Sequence, residues 1–113
     1  MIKRIKEYKT FFEMANIRKG DLGLPCNIYA SAGWNLKYGA RIKVQNNYSD
    51  RFMANEMFTI VISTKEVIGD TGEITKRDIK IVCKFIDLNL NAFLKFWDGY
   101  LTDVEFKSIL KSL

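Results

Sequence analysis

Residues 76 to 97 read KRDIKIVCKFIDLNLNAFLKFW, and the layout of this stretch decides what the rest of the chain must build. Ile79, Val82, Cys83, Ile86, Leu90, Phe93 and Trp97 recur at helical spacing along one stripe. Ile81, Phe85, Leu88, Ala92 and Phe96 form a second stripe on nearly the opposite side, leaving a narrow wet seam of Lys80, Lys84, Asp87, Asn91 and Lys95. A helix this apolar around its circumference needs cover on more than one side, from a sheet, from flanking helices or from a second copy of the chain. Unbroken, it would run about 33 Å at 1.5 Å per residue, with Thr75 and Asp78 at capping spacing before it. The region from Asn89 to Asn91 is the candidate position for a break, and a homodimer through residues 76 to 97 is one way of covering both stripes.

The sheet to cover that helix lies upstream. MFTIVIS, residues 57 to 63, is the strongest strand, because Thr59, Ile60, Val61 and Ile62 are all β-branched. NIYAS, residues 27 to 31, sends Ile28 and Ala30 to one face and Asn27, Tyr29 and Ser31 to the other. A further strand over residues 40 to 46 sends Ile42 and Val44 inward and Arg41, Lys43 and Gln45 outward; AGWNLKYG, residues 32 to 39, joins the two as a hairpin loop or a bulged excursion. Ile2, Ile5, Tyr8, Phe12 and Ala15 mark an amphipathic amino-terminal helix ending before Gly20. Thr102 with Glu105 forms a capping box for a last helix over residues 103 to 112. The expected architecture is one α+β domain over residues 1 to 113: an amino-terminal helix, a three-stranded, mainly antiparallel sheet, a long apolar helix and a short carboxy-terminal helix.

A composition of 48% hydrophobic and 27% charged residues, with one proline in 113, is globular usage. Cys26 and Cys83 are the only cysteines and are read as reduced thiols. The basic start, MIKRIKEYKTFF, has no apolar run of signal-peptide length, and no stretch approaches membrane-spanning length, so a cytoplasmic protein is expected. Lys3, Arg4, Lys6 and Lys9 do not make a membrane-binding face, because Glu7 and Glu13 interrupt it.

The chain has no histidine, which removes the commonest general base near neutral pH and the commonest metal ligand. Glu56, Glu66, Asp70, Glu73 and Asp78 show no spacing that demands a two-carboxylate cleft, GDTGE (69 to 73) reads as a turn, and GDLG (20 to 23) lacks the lysine of a phosphate loop. A non-enzymatic protein without cofactor or metal is expected.

Charge is unevenly placed. Residues 1 to 51 hold ten Lys or Arg against four Asp or Glu, a net +6, while residues 52 to 113 hold eight against nine, a net −1. A one-sided positive field favours an acidic protein surface or a phosphate backbone as partner. Trp34, Leu36 and Tyr38 alternate through the glycine-bounded loop as anchors for a protein interface, or fold back over the sheet edge; Arg41 and Lys43 complete the interface. The same face offers a nucleic-acid reading through Tyr29, Lys37, Arg41, Lys43 and Gln45, since bases stack on aromatic rings and cations meet phosphate. Its alternative is a solvated strand face on which Tyr29 shields the cationic stems. Trp97 reads as a core aromatic.

LNLNAFLKFWDG, residues 88 to 99, resembles the carboxy-terminal helix of small prokaryotic domains of unknown function, some encoded beside toxin–antitoxin loci, with Asn91, Leu94, Trp97 and Asp98 at the corresponding places. LPCNIYAS, residues 24 to 31, is similar to the strand that follows a proline in those domains, but Asn27 and Tyr29 stand where they commonly carry histidines, so no imidazole role transfers. The resemblance implies a bacterial or phage accessory protein. Together these readings lead to a small interaction or inhibitor module that occludes an acidic protein partner, with nucleic-acid binding as the alternative.

Overall fold

The computed structural model describes residues 14 to 31 and 39 to 113. Five strands, β1 (Met14–Ile17), β2 (Ile28–Ser31), β3 (Arg41–Gln45), β4 (Met57–Val61) and β5 (Val67–Ile68), form one antiparallel sheet in chain order. Three helices follow: α1 (Lys76–Leu88), α2 (Leu90–Trp97) and α3 (Asp103–Ile109). Among the described residues, no helix is long and apolar enough to cross a membrane.

Register sets the core. Ala15 stands opposite Ala30, Ile17 and Val44 flank Ile28, and Ile42 and Val44 meet Ile60 and Phe58 across β4. These eight side chains are all buried on one face of the sheet, against Val82, Phe85, Ile86, Phe93, Phe96 and Phe106 from the helices. Phe106 is the hub of the aromatic layer: its ring stacks on Phe96 at 4.5 Å between centroids and meets Phe93 edge-on at 5.2 Å. Such pairs add about 0.5–1.5 kcal/mol each beyond their area burial.

The expected three-stranded sheet is corrected to five strands. Residues expected to form the three strands do so as β2, β3 and β4, while β1 and β5 add an edge on each side. The amino-terminal helix lies, up to residue 13, outside the described residues, and its expected last turn is strand: Met14 and Ala15 pair with Ser31 and Ala30. Ala15 fits a helical repeat with Phe12 and also an alternation with Ile17, and partnership with β2 decides for the alternation.

The long apolar helix is likewise corrected. It breaks at Asn89, whose backbone turns to φ −114°, ψ 26°, and the buried Asn89 side chain holds the break. Its Nδ2 donates to the carbonyls of Phe85 (3.1 Å) and Lys111 (3.0 Å), and its Oδ1 accepts from the Lys111 amide at 2.7 Å. The Phe85 carbonyl, which also accepts from the Asn89 amide at 3.1 Å, gains a second donor, and the carboxy-terminal tail is drawn to the joint. The two expected stripes do not wrap one rod; Val82, Phe85, Ile86, Phe93, Phe96 and Trp97 are buried, whereas Leu88 and Leu90 on either side of the joint are exposed.

Caps set the helix starts. Thr102 and Glu105 form a reciprocal capping box on α3, which ends at Ile109 rather than at residue 112. Thr75 caps α1 through the Asp78 amide, but the Asp78 carboxylate accepts from the Tyr48 hydroxyl at 2.5 Å, and that hydroxyl accepts from the Thr75 amide at 3.1 Å. Tyr48 thus ties the loop after β3 to the first turn of α1.

Candidate interaction surface

Alternation that buries Ile28, Ile42 and Ile60 turns their neighbours to the opposite face, where no helix packs among the described residues. Tyr29, Lys43 and Thr59 lie in one row across β2, β3 and β4, extended by Asn16 on β1 and Ile68 on β5. Arg41 stands beside Val61 in the next row. Among the described strand residues, Arg41 and Lys43 are the only charged ones, and both are cations. Lys43 is exposed, with its Nζ donating to Thr59 Oγ1 at 3.0 Å, and Arg41 is half-buried.

Gln45 points to this face as expected, yet it is 0% exposed and is no part of an open surface. Asn27, beside it at the entry to β2, is equally buried. The chain after β3 folds over this corner, and the two carboxamides hold it there. Gln45 Nε2 donates to Asn47 Oδ1 (2.8 Å) and to the carbonyls of Ser49 (3.3 Å) and Arg51 (3.0 Å), while Gln45 Oε1 accepts from the Met53 amide at 3.0 Å. Asn27 Nδ2 donates to the Ser49 and Asp50 carbonyls, and Asn27 Oδ1 accepts from the Lys19 amide at 2.6 Å. A loop with no regular structure of its own has its carbonyls satisfied by two strand side chains, which removes the cost of burying them.

What the loop delivers is Phe52. Its ring stacks on Tyr29 with centroids 5.1 Å apart and planes 25° from parallel, and the Arg18 guanidinium lies 5.6 Å from the Phe52 centroid. Arg18 also donates to the Asp50 carbonyl at 3.3 Å, and Lys19 donates to the Tyr48 carbonyl at 2.7 Å with Asp50 at 3.8 Å. Burial raises the Tyr29 hydroxyl above its ordinary pKa, so it stays protonated and neutral among these cations. The surface therefore combines Arg18, Lys19, Arg41 and Lys43, with Asp50 beside Lys19, and Tyr29, Phe52, Met57, Val61 and Ile68.

Of the expected site residues, Tyr29, Arg41 and Lys43 share this face and Gln45 is withdrawn beneath the loop. Trp34, Leu36, Lys37 and Tyr38 lie outside the described residues. Phe52 and Arg18 are not anticipated by the sequence, because NNYSDRFMANE reads only as a turn.

Elsewhere the chemistry is structural. Asp70 Oδ1 accepts from the Gly72 amide at 2.8 Å, which makes GDTGE an Asx turn, and GDLG is a short 3-10 turn (Asp21–Gly23). Cys26 is buried, and desolvation, followed by the nearby Asp78 charge, pushes its thiol up to about 12; the Cys83 thiol is also raised, mainly by burial. Neither supplies a thiolate at neutral pH. No group of three or more acids or cysteines suited to a metal occurs among the described residues. Comparison of the chain with protein-family models, curated proteins and solved structures gives no match.

Proposed function

We propose that the protein is a non-enzymatic cytoplasmic interaction module that covers an acidic protein surface with its open sheet face. One observation carries this reading: the face is apolar and cationic together, with Arg41 and Lys43 as the only charges on the described strands, set among Met57, Val61, Ile68 and the Tyr29–Phe52 pair. Protein interfaces are enriched in arginine, methionine and aromatic residues, and a predominantly cationic patch steers an acidic partner to it. The mechanism is occlusion, in which the partner's working surface is masked by a rigid sheet. A bacterial or phage defence, counter-defence or toxin–antitoxin setting is where such an inhibitor would act.

A second reading, nucleic-acid binding, is favoured by the aromatic pair lying in the same surface as Lys43 and Arg18, because rings and cations side by side suit bases and phosphates. Two measurements separate the readings. Affinity capture from bacterial lysates with the wild type and with Arg41→Glu/Lys43→Glu should retain an acidic protein that the variant loses, with affinity lowered about tenfold or more in purified form. Anisotropy titration against labelled single- and double-stranded DNA and RNA at physiological salt should show no tight binding. Micromolar nucleic-acid binding abolished by the same variant transfers the site to the second reading, and capture indifferent to both substitutions removes this face from either.

A further inference from the structure

We infer that Arg18 is the anchor of the open sheet face and takes a carboxylate of the acidic partner in a two-bond fork; this rests on the acidic-partner reading above and names the contact that decides it. Four cations reach the face, and the structure treats them differently. Lys19 donates to the Tyr48 carbonyl at 2.7 Å and stands 3.8 Å from the Asp50 carboxylate, so its charge is partly answered within the chain. Lys43 gives one of its three protons to Thr59 Oγ1 at 3.0 Å, and Arg41 is half-buried. Arg18 is exposed and makes no ion pair among the described residues.

Arg18 is also the cation that is held in place. Its Cζ lies 5.6 Å from the Phe52 centroid, and its Nη2 donates to the Asp50 carbonyl at 3.3 Å. Ring and carbonyl both belong to the loop after β3, and that loop is itself seated. Phe52 stacks on Tyr29 with centroids 5.1 Å apart, and the adjacent Met53 amide donates to Oε1 of the buried Gln45. A free surface arginine loses rotamer freedom when a partner fixes it; here ring and carbonyl restrict the side chain beforehand, so less is lost on binding. A guanidinium carries five N–H donors in a planar fork, and the Asp50 carbonyl uses one of them. A pair of parallel donors remains, matched to the two oxygens of a carboxylate. Tyr29 and Phe52 are half-buried against each other, and Arg18 lies over Phe52. The site therefore offers a fixed cation more than an open ring on which a base would stack, which favours a protein carboxylate over nucleic acid.

Fluorescence anisotropy of the full chain with a labelled peptide of about twelve alternating glutamate and leucine residues, at about 50 mM salt, tests this. Arg18→Lys keeps the charge but replaces the planar fork with a point charge. It should weaken binding about tenfold or more, close to Arg18→Ala, through faster dissociation and with the salt dependence of association unchanged. Phe52→Leu keeps apolar bulk but removes the ring beneath the guanidinium, and should weaken binding about threefold to tenfold. Hydrogen exchange at the Met53 amide reports whether the loop stays seated. Where Arg41→Glu/Lys43→Glu loses the peptide, an Arg18→Lys variant that binds as tightly as wild type, or whose loss comes with faster Met53 exchange, overturns the inference alone. A peptide that does not bind the wild type, or that binds Arg41→Glu/Lys43→Glu undiminished, overturns the acidic-partner reading and the inference with it. Single-stranded DNA of about twelve nucleotides, bound more tightly than the peptide and released by Arg18→Lys, moves the anchor to phosphate and overturns the carboxylate assignment.

Discussion

Asn27 Nδ2 lies 3.3 Å from Gln45 Oε1, and both side chains are fully buried on the face of the sheet that no helix covers among the described residues. The two carboxamides act as a side-chain template for the loop that crosses them, donating to its carbonyls and accepting from its Met53 amide. Every buried side-chain nitrogen and oxygen among the described residues has a partner, so this polar corner is completely satisfied. The interaction surface depends on it, since the loop carries Phe52.

Gln45→Ala should therefore destabilise the protein by about 2–4 kcal/mol, because it leaves the Met53 N–H and the Arg51 carbonyl unpaired as well as opening a cavity. Urea unfolding gives the number, and hydrogen exchange at the Met53 amide should accelerate more than exchange in β4. A loss under about 0.5 kcal/mol would mean that water replaces the carboxamide and the loop does not depend on it.

By contrast, Arg41→Glu/Lys43→Glu should change stability by no more than about 1 kcal/mol, since one exposed and one half-buried surface cation contribute little and the Lys43–Thr59 hydrogen bond is a modest one. The same urea titration that condemns Gln45→Ala should leave this variant nearly unmoved. A loss of several kcal/mol would make the pair part of the scaffold.

Legibility followed cover. Ile28, Ala30, Ile42, Val44 and Ile60 could be placed because their alternation is the direct imprint of a sheet packed on one face. The four residues of β1 and two of β5 are too few to establish a period, and both exist through pairing with a neighbour. Gln45 was read to the correct side and the wrong environment, because its cover comes from a polar loop whose own sequence announces only turns. Asn89 shows the same limit: an asparagine in an apolar helix marks a candidate break, but its bonds to Lys111 depend on where the tail returns. Tyr29, Arg41 and Lys43 were legible as one face; Arg18 and Phe52 reach it from separate segments and were not.

Gly72 illustrates a position set by close approach. Its φ is +55°, and a Cβ there would collide with the Asn46 carbonyl oxygen, which accepts from the Glu73 amide at 2.8 Å. Gly72→Ala should cost about 1–3 kcal/mol through left-handed backbone strain and displacement of that carbonyl. Thermal unfolding should show a lowered midpoint. A midpoint equal to wild type would indicate that the turn relaxes without loss.

The buried thiol makes a signed prediction about pH. Cys26 has its pKa raised from an ordinary 9.0 to about 12, first by desolvation and then by Asp78, so the folded state keeps the proton over a range in which the unfolded chain releases it. Stability from this group is fully present below pH 9.0 and declines as pH rises toward about 12, with a slope of at most about 1.4 kcal/mol per pH unit. Tyr29, raised in the same direction, steepens the loss at the alkaline end. Urea midpoints measured from pH 7 to 11 should fall more steeply for the wild type than for Cys26→Ala, whose overall stability is lower but whose alkaline decline is shallower. Alkylation at pH 8 should modify the half-buried Cys83 before Cys26. Parallel pH profiles for the two proteins would show that Cys26 contributes nothing to the alkaline loss, and labelling of Cys26 first would show that the segment leading into β2 opens more readily than α1.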